Sequence, residues 1–171
     1  WSHDPMYPVP SREEDPFGLL IAPADEQPVQ DRDDVLTFTT PEFSTDFCIV
    51  GAAVLLVALN RVEGHSLIAK ISDVDIDGRC FAITEGALWV DDPDRAQMVR
   101  LRLHECAYNL RAGHCLRLEV AASHFPRYAP PSGRDPFHDE RSSLLRYEIV
   151  VGGWAGSRLV LPICDGSRRP D

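Results

Sequence analysis

The sequence predicts an all-β protein folded as a jelly-roll β-sandwich. Short stretches of alternating apolar and polar residues, which is the period of a half-buried strand, recur at close spacing along the chain. Glycine and proline turn signals separate these stretches. No segment keeps the 3.6-residue period of a helix beyond two turns. Roughly eight or nine short strands of this kind need two packed sheets, and a jelly roll is the expected way to wind that many.

The length and composition limit the classes of protein to which the chain can belong. At 171 residues the chain is long enough to bury the core of one domain. Its 27 acidic residues outnumber the 17 basic ones and give a net charge of −10, which argues against a nucleic-acid groove and an anionic membrane surface. The longest apolar run, Phe47 to Leu59, is shorter than the roughly 20 residues of a membrane-spanning helix. We therefore expect no nucleic-acid partner and no membrane.

The five cysteines occur in no C-x-x-C spacing. An odd number of cysteines scattered through strand-like segments is typical of a reducing compartment, where cysteine packs as a small apolar residue. Cys106 and Cys115 flank one connection, so a bridge between them is the alternative to the two free thiols that we favour. Because no signal peptide opens the chain either, we expect a cytoplasmic protein.

The first 30 residues are rich in proline and acidic side chains and are predicted to lie extended over a surface. The chain opens on Trp1 rather than methionine, as a processed product or an excised fragment would. The folded domain is expected over residues 31–164, and a disordered tail over residues 165–171. At the start of that domain, three aspartates surround Arg32. We interpret this run as a turn with a local ion pair rather than as a metal cluster.

Strand signals follow in order along the domain. The apolar run from Ile49 to Leu59 predicts a strand buried on both faces, with Gly51 at a bulge or bend. Alternating candidates follow at 36–39, 67–72, 81–83, 88–90, 99–104, 116–120 and 145–149. The short apolar run at residues 159–161 closes the series before Pro162.

The run from Asp73 to Gly78 reproduces the first half of an EF-hand loop, D-x-D-x-D-G. The twelfth position of that loop requires a bidentate glutamate but falls on Thr84, and Glu85 misses the position by one residue. The flanking segments also alternate as strands rather than helices. We therefore predict a hairpin turned at Asp77-Gly78, and no metal site.

No catalytic or cofactor-binding motif emerges from the sequence. A G-x-S-x-G nucleophile elbow is absent, and the six histidines show no H-x-x-x-H or H-E-x-x-H pairing for zinc. We interpret His114 and His124 as loop or edge residues. The sequence thus predicts no catalytic residue, no metal ligand and no cofactor.

The region around the strand at Leu116 resembles a family signature. Ala112-Gly113-His114 precedes the strand LRLEV, and Ser123-x-Phe125-Pro126-Arg127-Tyr128 follows it. This resembles the non-catalytic C-terminal domain of the X-Pro dipeptidyl-peptidase and cocaine-esterase family of serine hydrolases. Cys115, Ala121, Ala122 and His124 depart from the usual pattern. Further matching motifs lie at residues 28–36, 70–86 and 157–163.

The resemblance implies a fold, a function and a partner. The implied fold is a jelly roll of the galactose-binding-domain-like kind. The resemblance also implies that residues 1–30 are an inter-domain connection, so we expect the chain to be an excised fragment rather than a processed product. The function is that of a non-catalytic domain of a peptidase, esterase or acylase, which packs on the α/β-hydrolase domain holding the catalytic triad. Homo-oligomer contacts are a further implied role. The resemblance also implies that Leu19 and Leu20, within the apolar stretch Phe17–Ile21, line the substrate cleft.

Two alternatives stay open. Leu19 and Leu20 could instead anchor the connection to the domain's own core. The whole chain could instead be a free-standing jelly-roll module that binds carbohydrate or another ligand. Such modules display a row of exposed aromatic side chains, for which the candidates are Trp89, Trp154, Tyr128 and Phe137.

Overall fold

Two antiparallel sheets packed face to face make up the computed structural model, which describes residues 1–11, 24–91, 95–128 and 144–164. The strands are β1 (Ser2–His3), β2 (Leu36–Thr39), β3 (Phe47–Val62), β4 (Ser66–Val74), β5 (Cys80–Trp89), β6 (Gln97–Leu110), β7 (Cys115–Ala121), β8 (Leu145–Val150), β9 (Arg158–Val160) and β10 (Ile163–Cys164). One helical turn, α1 (Gln27–Gln30), precedes β2. The predicted all-β sandwich is confirmed.

The 16-residue strand β3 organises the larger sheet. It pairs with β6 along one edge and with β8, β9 and β10 along the other, while β1 extends the sheet beyond β8. The smaller sheet has the order β2-β7-β4-β5. Gly51 has a φ of 115° and lies beside a register shift in β3, so the predicted bulge is confirmed. In the part of the chain that the structure describes, no helix is long and apolar enough to cross a membrane.

The core lies between the sheets and is built by the inward positions of the alternating strands. Leu101 and Leu103 of β6 are fully buried from the larger sheet. Leu67 and Ile71 of β4 are fully buried from the smaller one. Burial of such side chains contributes about 1.5–3 kcal/mol each, so alternation on both sheets drives their association.

The outer faces of the two sheets are the reverse of what the sequence pattern predicts. The expectation that β3 is buried on both faces is wrong, because Val50 is 52% exposed and the outward Val54 and Leu56 are only half-buried. All nine residues of β4 are buried instead, including the outward-facing Lys70 and Ser72. The series of strands also continues past Pro162 into β10.

The β4–β5 connection is a hairpin, as predicted. The backbone N–H of Gly78 donates to the carbonyl of Asp75, and the Asp75 N–H donates to the carbonyl of Arg79. Gly78 has a φ of 82°, which gives the three-residue turn its left-handed last position. The carboxylates of the EF-hand-like run diverge, because Asp75 accepts bonds from Arg79 whereas Asp73 accepts bonds from Tyr108 and His114. Among the described residues no group of three or more metal-ligating side chains occurs.

Replacement of Gly78 tests the hairpin. Gly78→Val should lower the free energy of unfolding by roughly 1 kcal/mol or more, because a β-branched residue resists positive φ. A built Cβ at Gly78 meets no atom within 4 Å, so backbone strain is the expected cause. Gly78→Asn is the matched control and should cost less, since asparagine tolerates this conformation. Urea unfolding measures the stability of both variants. In a separate experiment, added calcium should leave the melting temperature of the wild type unchanged. Equal losses for the two variants, or a calcium-dependent rise of several degrees, would contradict the turn assignment.

Candidate functional site

A row of charged residues crosses the outer face of the smaller sheet. The register places Lys70 of β4 opposite Glu119 of β7 on one side and opposite Glu85 of β5 on the other. All three are buried, with exposed fractions of 1% for Lys70, 3% for Glu119 and 8% for Glu85. Lysine and glutamate are almost never this buried unless they are paired. The row is therefore a built polar layer rather than a solvated sheet face.

Residues 24–30 close over this row. The Lys70 ammonium donates to Glu26 Oε2 at 2.9 Å, and its Nζ lies 3.7 Å from Glu119 Oε1. Gln30 of α1 donates through Nε2 to Glu119 Oε2 at 3.2 Å and accepts a bond from Arg117 at 3.0 Å. Because these partners come from the residues before β2, the layer ties the start of the chain to the sheet.

The electrostatics of the layer favour the charged forms of its central groups. Burial by itself would lower the pKa of Lys70, but the nearby carboxylates of Glu119 and Glu26 raise it above its ordinary value. Burial would likewise raise the pKa of Glu85, but the His124 contact and the positive charges of Arg127 and Lys70 lower it. Both groups thus stay ionised at neutral pH.

A second set of side chains surrounds Glu85. His124 Nδ1 lies 3.1 Å from Glu85 Oε2, the Tyr128 hydroxyl donates to Glu85 Oε1 at 3.3 Å, and Arg127 forms an ion pair with the same carboxylate. His124 lies in the connection after β7, which confirms its interpretation as a loop residue, although it is only 3% exposed there. The family-like ending of residues 123–128 folds back onto the smaller sheet, which explains the burial. His114, half-buried in the turn before β7, is bonded to Asp73 at 2.7 Å.

The sandwich holds the chain on both sides of residues 12–23. On one side, Val9 donates its N–H to Ser123 Oγ at 2.8 Å, and the Ser11 N–H donates to the carbonyl of Phe125 at 2.6 Å. On the other side, the Glu26 N–H donates to the carbonyl of Cys80 at 2.8 Å. The first attachment lies near the start of β4, because Ser66 donates its hydroxyl to the carbonyl of Ala122, the residue before Ser123. The second lies near the end of β4, because Cys80 pairs with Val74. The two attachments are therefore at opposite ends of β4.

Leu19 and Leu20, the predicted cleft-lining residues, lie between these attachments and outside the described residues. The whole stretch Phe17–Ile21, the loop at residues 129–143 and the tail at residues 165–171 lie outside them as well. The structure bears on the cleft prediction only through the two attachments that flank Phe17–Ile21.

Three of the described histidines form hydrogen bonds to groups that are not nucleophiles. His3 bonds to Asp34 at 3.0 Å, His114 to Asp73, and His65 to the carbonyl of Val90 at 2.9 Å. Nucleophilic catalysis needs a serine or cysteine within hydrogen-bond reach of such a base, and none of these bonds provides one. The Asp34 carboxylate also binds Arg32 at 2.7 Å, which confirms the predicted turn with a local ion pair.

The candidate aromatic row is divided between the sheets. Trp89, at the end of β5, is 59% exposed and stacks on His65 with ring centroids 4.7 Å apart. Trp154, in the loop between β8 and β9 of the other sheet, is 99% exposed. Tyr128 is half-buried against Glu85, and Phe137 lies outside the described residues. These positions show no continuous aromatic platform on the part of the chain that the structure describes.

Sequence reasoning missed two features. The buried row left one signal: Lys70 is the only lysine of the chain. The positions of Glu85 and Glu119 opposite Lys70 can be recognised only once the strand register is known, and the sequence alone does not give that register. The second feature is the open outer face of the larger sheet, where an apolar stripe runs along β3. This outer stripe consists of Val50, Val54, Leu56, Ala58, Met98, Val150 and Val160.

Known proteins match the chain in sequence and in fold. The family described as "X-Pro dipeptidyl-peptidase C-terminal non-catalytic domain" matches residues 1–156. The chain is 30% identical over 145 residues to the cocaine esterase of Rhodococcus sp. (strain MB1 Bresler), which covers 74% of this chain and 24% of the esterase. The chain thus spans less than a third of that relative's length.

Two solved structures share the fold. An aminopeptidase from the marine sediment archaeon Thaumarchaeota archaeon matches with a TM-score of 0.76 at 18% identity, over 96% of this chain and 33% of its own. An α-amino acid ester hydrolase matches with a TM-score of 0.77 at 19% identity, over 96% of this chain and 32% of its own. At these identities the likeness shows the sandwich fold of the chain.

Removal of the Lys70 charge should destabilise the domain strongly. Lys70→Met leaves Glu26 and Glu119 buried without their cation, and breaking a buried pair in this way costs about 3–5 kcal/mol. The matched control is the triple variant Glu26→Gln, Lys70→Met, Glu119→Gln, which should recover a large part of that loss because no uncompensated charge remains. Urea unfolding at pH 7 measures both. If the single and triple variants are equally unstable, the loss reflects packing rather than charge.

The lowered pKa of Glu85 predicts a specific acid sensitivity. A carboxylate with a folded-state pKa below its ordinary value of 4.5 contributes stability that is present above that value and is lost as the pH falls through the folded pKa. Glu85→Gln should therefore be less stable than the wild type at pH 7, and its unfolding free energy should fall less steeply below about pH 4.5. Parallel pH profiles for the two proteins would contradict the assignment.

Proposed function

Because the chain belongs to the family of X-Pro dipeptidyl-peptidase C-terminal non-catalytic domains, we propose that it is the sandwich part of a larger serine hydrolase and packs on the α/β-hydrolase domain of that protein. In this arrangement it helps to shape the substrate cleft, with Leu19 and Leu20 as the residues that line it. The bond-breaking groups belong to the other domain, in keeping with the family's description as non-catalytic. We also propose a cytoplasmic location, which the five free thiols support.

The attachment of the chain on both sides of residues 12–23 is the observation that carries this proposal. Leu19 and Leu20 belong to an apolar stretch, FGLLI, within a segment otherwise rich in proline and acid. A partner domain that binds such a stretch loses less conformational entropy when both of its ends are already held. The hydrogen bonds at Val9, Ser11 and Glu26 supply those fixed ends.

The polar layer strengthens the attachment on the second side. Glu26 is 5% exposed and donates its backbone N–H to Cys80 while its carboxylate accepts from Lys70. Two buried contacts through one residue fix both its backbone and its side chain. Gln30 adds a further contact from α1. Cleft-lining residues need supporting contacts of this kind, because misplacement by about 1 Å reduces catalysis substantially.

Titration with the separately produced hydrolase domain tests the proposal. The chain should bind that domain and raise its turnover of a p-nitrophenyl ester or an X-Pro-p-nitroanilide. The double variant Leu19→Asp, Leu20→Asp should lose at least about tenfold in affinity, since two charges would be buried at the contact. Calorimetry measures binding, and sedimentation of the same samples reports self-association.

Two controls keep the outcomes distinct. Ile76→Asp changes an apolar residue that is 78% exposed at the tip of the β4–β5 hairpin, and it should bind as the wild type does. Met98→Asp places a charge in the outer stripe, and a loss confined to this variant would assign the contact to the larger sheet and overturn the role of Leu19 and Leu20. The chain alone should hydrolyse substrate at the buffer rate. Labelling of one of its serines by a phosphonate would show that it carries its own nucleophile.

A further inference from the structure

Two of the five cysteines lie directly opposite one another in the larger sheet. The antiparallel pairing of β10 with β3 places Cys164 against Cys48. The side chains of opposed residues leave the sheet on the same face, with Cβ atoms about 4.5–5.5 Å apart. Ile49 is 1% exposed and points into the core. Its neighbour Cys48 therefore points to the outer face of the sheet, and Cys164 points there as well.

The geometry of this pair suits a disulfide. The N–H of Val50 donates to the carbonyl of Pro162 at 2.9 Å, which makes these two residues a hydrogen-bonded pair. Hydrogen-bonded and non-hydrogen-bonded pairs alternate along an antiparallel ladder. Two positions further on, Cys48 and Cys164 are again a hydrogen-bonded pair, with Cα atoms about 5.5 Å apart. Disulfides span Cα distances of roughly 4.4–6.8 Å, so the two thiols lie within bridging distance.

The strand register opposes no other two cysteines, all five of which belong to the part of the chain that the structure describes. Cys80 and Cys115 pair with Val74 from opposite sides of β4. Two strand spacings separate their Cα atoms by roughly 9.5 Å, and beyond about 7 Å no bridge forms without backbone movement. Cys106 lies opposite Gly51 in the larger sheet, whereas Cys115, its alternative partner in the sequence, belongs to the smaller sheet.

Exposure to solvent also favours this pair. Cys164 is exposed and Cys48 is half-buried. The Cys48 thiol donates to the amide oxygen of Asn109, with sulfur and oxygen 3.4 Å apart. Because a thiol is a weak donor, rotation about the Cα–Cβ bond can exchange this contact for one with Cys164. Burial raises the pKa of the Cys80 and Cys106 thiols, which reduces the fraction present as the reactive thiolate.

We propose that Cys48 and Cys164 form a reversible disulfide when the chain meets a small-molecule disulfide as oxidant. The exposed Cys164 thiolate attacks one sulfur of the oxidant, and the other sulfur leaves as a thiolate. The Cys48 thiolate then attacks the Cys164 sulfur of this mixed disulfide and displaces the second half of the oxidant. The two cysteines give up two electrons and two protons in total, and the oxidant becomes two thiols.

The bond fastens a short strand to a long one. The two-residue β10 becomes covalently attached to the 16-residue β3. The closed loop contains every strand from β4 to β9, and a cross-link over a long loop stabilises a protein mainly by restricting its unfolded chain. In a reducing compartment the pair stays as two thiols. This modification is independent of the contact with a hydrolase domain, and it goes beyond the proposed function.

Oxidation of the folded chain with glutathione disulfide tests the proposal. The number of thiols, counted in denaturant, should fall from five by two. Mass spectrometry of a proteolytic digest should show one cross-linked pair of peptides, joined through Cys48 and Cys164. The melting temperature of the oxidised chain should rise by several degrees, and dithiothreitol should restore its original value.

Three serine variants locate the bond. Cys164→Ser removes the exposed thiol, so oxidation should give neither a cross-linked peptide nor a higher melting temperature. Cys48→Ser removes the other thiol and should show the same two losses. Cys115→Ser is the matched control, because this thiol is half-buried like that of Cys48 but has no cysteine opposite it. The control should form the bond as the wild type does.

Several results would overturn the proposal. They are an unchanged number of thiols after oxidation, a cross-link between any other two cysteines, or a dimer linked through Cys164. A glutathione adduct that persists on Cys164 without displacement by Cys48 would overturn it too. So would an equal rise in melting temperature for the wild type and for Cys164→Ser.

Discussion

The buried charge of Lys70 is the constraint on which the smaller sheet depends. An ammonium group on a sheet face with 1% exposure is tolerated only when carboxylates surround it, and those carboxylates come from three separate parts of the chain: Glu26 before α1, Glu85 on β5 and Glu119 on β7. A slip of one residue in the register of β4 would turn Lys70 into the apolar core. The row therefore fixes the register of three strands at once, and Glu26 joins the residues before β2 to it.

The two outer faces of the sandwich are consequently unlike one another. The smaller sheet is closed by residues of its own chain, with polar groups satisfied beneath them. The larger sheet leaves an apolar stripe open, with Val50 and Val160 each at least half exposed. In an antiparallel sandwich that stands alone, one face of each sheet is expected to be polar and solvated. The open stripe and the covered polar face are typical of a domain that belongs to a larger protein. The chain accordingly covers only 24% of its esterase relative.

The sequence predicted what alternation and turn chemistry determine. The inward positions of β6 and β7, the bulge at Gly51 and the turn at Gly78 all follow from local patterns, and the failed EF-hand register predicted the hairpin that the structure shows. Burial of the outer faces was not predictable in the same way, because it depends on which distant segment covers a sheet. The alternating β4 was expected to be half-exposed and is fully covered, whereas the uniformly apolar β3 is partly open. The burial of the loop residue His124 was not predictable for the same reason, since it comes from contact with the distant Glu85 of β5.

The opposite pKa shifts of Lys70 and Glu85 explain why a buried ionic layer suits this position. The pKa of Lys70 is raised, so its contribution to stability is present below its ordinary value of 10.5 and is lost only as the pH rises through the raised one. The pKa of Glu85 is lowered, so its contribution is present above 4.5 and is lost only as the pH falls through the lowered one. Between these limits both groups remain ionised and neither titrates. The positive charge that Lys70 presents to the Glu26 carboxylate is therefore constant across the neutral range.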